Sequence, residues 1–293
     1  MLLAKNGEEL LKICKEENIS LSEYAITYEM ENKEISREDL FKKMEKTLEA
    51  MRIGAREGRE KAVYSLSGLI GGDAYKLQQY LEKGNSLTGD TMVRAMAMAL
   101  SSSEVNAAMG KVVACPTAGS CGIVPSVILS AGEKLGKNDE ELMKALFASS
   151  SIGMLIAMNA TLAGAEGGYQ AECGSAAAMA SAAVVEMMGG TPEMSLHAGA
   201  IVLKNILGLV CDPVAGLVEI PCAKRNAAGA MSALCTADLV MAGVESKIPF
   251  DDTVSAMYKI GKALPASLRE TGLGGCAVTK RGLELKKRVF GDV

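Results

Sequence analysis

The chain has 293 residues, of which 49% are hydrophobic, and a formal net charge of -4 at pH 7; this balance excludes a disordered chain and provides for a large buried core. It contains 31 Gly and 18 Met but no Trp and only 4% aromatic residues, so small and flexible side chains must fill that core, which favours closely packed helices over a β-sandwich. The slightly acidic balance, without a basic stripe, argues against a nucleic-acid partner.

The N-terminal region is the most highly charged part of the chain. Residues 1–61 carry 26 charged side chains, whereas residues 145–245 carry 11. Ser36 can cap a helix with Asp39 three residues later, because a short side-chain oxygen there accepts a free backbone N–H. The apolar residues that follow share one helical face: Leu40, Met44, Leu48 and Met51. We interpret residues 1–61 as surface helices and not as a separate domain.

Further helices are predicted along the rest of the chain. They lie at about 90–109, 139–160, 174–188, 192–208, 226–243 and 251–263. Asn138, before three acidic residues, and Pro192, at a first helical position, mark two of the starts. No stretch alternates apolar and polar residues for long enough to predict a sheet. The sequence therefore predicts an all-α protein, with one mostly helical domain over 1–293 and a buried core rich in small residues.

Two long stretches, residues 112–132 and 145–165, contain no charged residue. Prolines interrupt the first and serines the second, so both favour buried segments of a globular protein over membrane spans. The N-terminus has no charged-then-apolar leader, and we expect an unprocessed cytoplasmic protein. In a reducing compartment its eight Cys would be buried core residues or metal ligands more often than disulfides.

Three segments are unlike helices and combine Gly or Pro with polar residues and Cys: 114–125, 164–175 and 208–226. Buried loops must satisfy their backbone polar groups, and a ligand or a metal is one way to do so. Cys211 and Cys222 are eleven residues apart, and each lies near a Pro. No CxxC motif is present, which argues against a zinc ribbon. The spacing alone leaves both an iron–sulfur cluster and ordinary core thiols open.

Common catalytic motifs are missing from the sequence. It contains no phosphate-binding GxxxxGK[ST] loop, no HExxH, no GxSxG and no GxGxxG. The single His, His197, falls inside a predicted helix, where a structural role is favoured over that of a catalytic base.

Four segments are more distinctive: SGLIGGDA at 67–74, CPTAGSCGIVP at 115–125, GAEGGYQAECGSAAAMA at 164–180 and CDPVAGLVEIPCAKRNAA at 211–228. Together they resemble the α subunit of the two-subunit, iron–sulfur-dependent L-serine dehydratases, also called L-serine ammonia-lyases. The likeness covers nearly the whole chain, and its last segment is the most specific.

The resemblance implies a [4Fe–4S] cluster held by three thiolates, with one iron left open. Two ligands of the family correspond to Cys211 and Cys222. The third normally lies where this chain has Tyr169, so we expect Cys173, one helical turn later, to replace it. The alternatives are that Cys115 or Cys121 completes the set, or that the cluster is unstable.

The same resemblance implies deamination of L-serine to pyruvate and ammonia, with the open iron acting as a Lewis acid on the β-hydroxyl group. The backbone N–H groups of Thr117, Ala118, Gly119 and Ser120 could form a nest for the substrate carboxylate, and Lys224 and Arg225 could also bind it. Glu166 and Glu172 are candidates for binding the ammonium group. The general base is not evident, and we expect it on a β subunit, which makes the enzyme a hetero-oligomer.

Other functions remain open on the sequence alone. A lyase of the same superfamily that eliminates sulfide from L-cysteine would use the same cluster. A helical subunit that has lost the cluster through the Tyr169 replacement would serve only in assembly or binding. A pyridoxal-phosphate enzyme is set aside, because neither a Schiff-base lysine motif nor a Gly-rich phosphate loop is present.

Overall fold

The charged N-terminal region folds into three consecutive helices: α1 (Gly7–Glu17), α2 (Leu21–Lys33) and α3 (Arg37–Glu60). The Ser36 side chain accepts the Asp39 N–H at 3.1 Å, which confirms the predicted cap. Short polar side chains cap the other two helices in the same way.

The structure is a computed structural model that describes residues 3–291. Ten further helices complete it: α4 (Asp73–Glu82), α5 (Asp90–Ala107), α6 (Ile123–Leu135), α7 (Asp139–Asn159), α8 (Gly164–Gly167), α9 (Ser175–Met187), α10 (Pro192–Ile206), α11 (Cys222–Met241), α12 (Phe250–Ala263) and α13 (Lys280–Phe290). Within 3–291 there is no β-strand, only two isolated bridges, Tyr64 with Gly71 and Cys211 with Arg269. The predicted all-α fold is confirmed.

Helix α9 lies at the centre of the core. Every residue from Ser175 to Val185 is buried, and α6, α7, α10 and α11 pack around it. The helix consists mostly of Ala and Ser, and such short side chains let neighbouring helices approach closely on all sides. A helix that is apolar all round, without an amphipathic stripe, is expected in this position.

Helix α7 is long and apolar enough to cross a membrane by length and composition. Within its most apolar window, 67% of the residues are buried inside the protein. Burial of this kind is what a core helix of a globular fold requires.

Four helices, α4, α6, α8 and α13, were not predicted. Among the predicted helices, two starts differ, and both lie in cysteine-bearing segments. Helix α11 begins at Cys222 and not at Asn226, because Pro221 occupies the position before the first helical residue, where a missing N–H costs nothing. Residues Gln170–Gly174 form a π-helical turn that continues directly into α9. The segments 164–175 and 208–226 are thus partly helical, and they bring Cys173 and Cys222 to the starts of core helices.

Candidate active site

The loop at Thr117–Ser120 and the starts of α9 and α11 meet in the interior. The Tyr169 hydroxyl donates to the carbonyl of Gly119 at 2.6 Å. Asn226, the fifth residue of α11, donates to the same carbonyl at 2.8 Å and accepts the Gly122 N–H at 2.9 Å. Its amide also lies 3.0 Å from the Cys222 carbonyl and 3.3 Å from the Tyr169 hydroxyl. One buried side chain, Asn226, therefore joins all three segments.

Cys173, Cys211 and Cys222 lie around this junction, and all three are buried free thiols. The Tyr169 hydroxyl interacts with the thiols of Cys173 and Cys222, and Cys222 interacts electrostatically with both other thiols. Burial raises the pKa of each, that of Cys222 to about 12. Without a metal these thiols stay protonated, since a buried thiolate lacks solvation.

Two carboxylates approach Cys211. Ligand atoms of Glu172, Cys211 and Glu270 all lie within 4.8 Å of one another. Burial raises the pKa of Glu172 to about 7, the hydrogen bond from Thr117 at 2.7 Å lowers it, and the charge of Glu270 raises it. Glu270 is held by its own backbone, whose N–H donates to the Cys211 carbonyl at 2.7 Å.

The two basic residues after Cys222 are both engaged by the protein. Arg225 pairs with the buried carboxylate of Asp212 at 2.9 Å, donates to the Val210 carbonyl at 2.8 Å and stacks over the Tyr169 ring. Lys224 forms an ion pair with Asp73 at the surface. Both side chains are therefore already paired with carboxylates of the protein. Their predicted role in binding the substrate carboxylate stays a prediction.

The loop that forms the predicted nest lies beside Glu172. The Thr117 hydroxyl donates a hydrogen bond to that carboxylate, and the Ser120 N–H donates to the Thr117 carbonyl at 3.3 Å. In the part of the chain that the structure describes, the N–H groups of Ala118 and Gly119 donate to no protein acceptor. Two adjacent free N–H groups suit an anion.

The remaining candidates lie elsewhere. Cys115 and Cys121 are buried next to each other, and their thiols face backbone carbonyls, at 3.3 Å from Val113 and 3.7 Å from Ser102. His197, a residue of α10, accepts the Ser246 N–H at 3.3 Å, as expected for a structural histidine.

Sequence reasoning missed two residues of this site. Glu270 lies in a turn far along the chain with no motif around it, and only the bridge between Cys211 and Arg269 brings it here. The sequence predicts Asn226 only as the start of a helix, whereas a polar residue inside a helix can also hold a neighbouring loop.

Comparisons with known proteins agree with the resemblance. Residues 16–277 match the family described as serine dehydratase alpha chain. The chain is 51% identical to the probable L-serine dehydratase alpha chain of Bacillus subtilis, over 98% of this chain and 95% of that protein. It is 44% identical to the L-serine dehydratase alpha chain of Peptoniphilus asaccharolyticus, over 97% and 98% of the two chains. L-serine dehydratase 2 of Escherichia coli is 35% identical over 93% of this chain but only 61% of its own length. The chain belongs to the serine dehydratase alpha chain family.

Proposed function

We propose that this chain is the cluster-bearing α subunit of an L-serine dehydratase, a lyase that converts L-serine to pyruvate and ammonium. The observation that carries the proposal is that three buried free thiols come from separate segments and that one of them, Cys222, interacts electrostatically with the other two, Cys173 and Cys211. The ligands of an iron–sulfur cluster must come together in this way. We also propose that the protein is cytoplasmic, where these thiols remain reduced.

The residues present fit a [4Fe–4S] cluster. Thiolates are the donors that iron–sulfur clusters prefer. Burial raises the pKa of Cys173 and Cys222, and the Arg225 guanidinium offsets part of that rise. The Tyr169 hydroxyl, at the family's usual ligand position, is committed to the Gly119 carbonyl. Cys173 is therefore the better third ligand.

When bound, the cluster supplies a Lewis acid that makes the β-hydroxyl group a better leaving group. The free N–H groups of Ala118 and Gly119 bind the substrate carboxylate and stabilise the charge that develops when the Cα proton is removed. The Glu172 carboxylate, 2.7 Å from the Thr117 hydroxyl beside this nest, binds the ammonium group. Loss of the Cα proton and of the β-hydroxyl leaves aminoacrylate, which tautomerises and hydrolyses to pyruvate and ammonium.

The general base and a second wall of the site come from a β subunit. Two relatives are named as alpha chains, and a longer relative, of which this chain covers 61%, is named as an L-serine dehydratase without a chain designation. The extra length of that relative supports a second component, which here would be a separate chain.

The test is reconstitution with iron and sulfide under anaerobic conditions. We expect about four iron and four sulfide per chain in the wild type, loss in Cys173→Ala, and retention in the matched control Cys14→Ala, whose thiol is buried near Ser20 and away from the site. Addition of the β subunit should then yield pyruvate from L-serine.

Each alternative predicts a different result. Iron near zero in the wild type would refute the cluster and leave a subunit for assembly or binding. Sulfide release from L-cysteine, without pyruvate from L-serine, would indicate the desulfidase reaction. Loss of iron in Cys115→Ala or Cys121→Ala, but not in Cys173→Ala, would refute the ligand assignment.

A further inference from the structure

Glu172, Cys211 and Glu270 form a group of three donors that the cluster does not explain. Their ligand atoms lie within 4.8 Å of one another, with Glu172 and Cys211 buried and Glu270 half-buried. Glu172 comes from the π-helical turn before α9, and the other two are fixed to each other by the Glu270 N–H, which donates to the Cys211 carbonyl. Backbone contacts therefore hold all three near a common point.

Each of the three side chains keeps a donor atom without a hydrogen-bond partner among the described residues. The Cys211 thiol is 2% exposed and makes no hydrogen bond to any described residue. Neither carboxylate belongs to an ion pair in the range 3–291, and only one oxygen of Glu172 receives a hydrogen bond, from Thr117. These free donor atoms are therefore available to a ligand.

The space between the donors is kept open by Gly164. A Cβ atom there would lie 2.6 Å from the second oxygen of Glu172 and 3.2 Å from the Cys211 sulfur. Any side chain at this position would occupy the space next to the Glu172 oxygen and the Cys211 sulfur.

The donor types select the ligand. Two adjacent carboxylates favour a cation, and a thiolate beside them favours a borderline transition-metal ion over Mg²⁺ or Ca²⁺, which take oxygen ligands. Bonds of about 2.0–2.3 Å would draw the donors together by about 1 Å, which side-chain rotation can supply. Two of the three donors are flexible glutamates.

We propose that Glu172, Cys211 and Glu270 bind one divalent transition-metal ion in the cluster-free chain. On binding, the Cys211 thiol releases its proton to water and the sulfur bonds to the ion. Because Cys211 is shared, the single ion and the complete cluster occupy the protein at different times. The inference goes beyond the dehydratase reaction, since ion binding needs neither substrate nor β subunit.

Co²⁺ is the probe, added alone to anaerobic, cluster-free protein. A sulfur-to-cobalt charge-transfer band in the near ultraviolet should saturate at one ion per chain. Glu270→Gln should weaken Co²⁺ binding about tenfold or more. Loss of a residue that is hydrogen-bonded to a metal ligand already costs about tenfold in affinity, and loss of the ligand itself should cost at least as much. The control Cys222→Ser should bind as the wild type does, and circular dichroism should be the same for all three proteins.

The opposite pattern would overturn the proposal. If Cys222→Ser abolishes the band and Glu270→Gln does not, the ion is held by the three cysteines. If the wild type gives no sulfur-to-cobalt band, the triad does not bind a metal ion. Reconstitution with iron and sulfide is scored separately, so a wild type that binds Co²⁺ without building a cluster refutes the dehydratase proposal and leaves the ion site standing.

Discussion

Replacement of Asn226 by Ala tests whether one buried amide holds the site together. The side chain is 1% exposed, and its oxygen is the acceptor for the Gly122 N–H at 2.9 Å. No other described residue accepts that N–H. The Gly119 carbonyl is better protected, because it keeps the Tyr169 hydroxyl at 2.6 Å.

The magnitude follows from these contacts. An orphaned buried N–H costs about 1–3 kcal/mol, and the void left by the carboxamide adds about 1 kcal/mol. We therefore expect Asn226→Ala to lower the free energy of unfolding by about 2–4 kcal/mol. The loop before α6 should also loosen, so that less iron is retained after reconstitution.

The assay is urea unfolding of the cluster-free protein under anaerobic conditions with a reductant, followed by circular dichroism. Asn205→Ala, at an exposed position of α10, is the matched control and should change the free energy of unfolding by less than about 0.5 kcal/mol. A shift of the midpoint without a change in the slope would report stability alone. A loss below about 1 kcal/mol in Asn226→Ala would refute the reasoning.

Three further results are expected. Burial raises the pKa of Glu104 from 4.5 to about 6, so the folded state holds this proton more tightly than the unfolded state, and the free energy of unfolding should fall by about 2 kcal/mol as the pH rises through that range. Glu104→Gln should remove this fall in urea unfolding at several pH values, and an unchanged fall would assign it to other groups. Gly164→Ala should reduce the iron bound on reconstitution, because its methyl group would lie 3.2 Å from the Cys211 sulfur. The control Gly174→Ala should leave the amount of bound iron unchanged, because the added methyl group would lie no closer than 3.6 Å to any neighbouring atom. Equal amounts of iron in the two variants would refute the argument. Arg225→Met should lower the free energy of unfolding by about 3–5 kcal/mol, because it leaves the buried carboxylate of Asp212 unpaired. A loss below about 1 kcal/mol in urea unfolding would mean that backbone donors already satisfy this carboxylate.

Much of the fold could be read from local patterns. The Ser36 cap and the start at Pro192 were predicted and are confirmed, and α5 and α7 end within two residues of their predicted ends. Helices form through hydrogen bonds between residues four apart, so the signals for their ends lie close by in the sequence. Helices α4, α6, α8 and α13 were not predicted. The two errors at helix starts, at Cys222 and at the π-helical turn, fall where Gly and Pro residues resemble those of a loop.

The sequence by itself also indicated the three segments that meet in the interior, because each combines Cys with Gly or Pro inside a mostly uncharged part of the chain. It could not reveal that Arg225 would be taken by a buried carboxylate, that Asn226 would join three segments, or that Glu270 would arrive beside Cys211. Such pairings join residues far apart in the chain and depend on which helix faces pack together. That choice is made by the whole core at once, through the close approach that its small residues permit, and only the tertiary structure contains it.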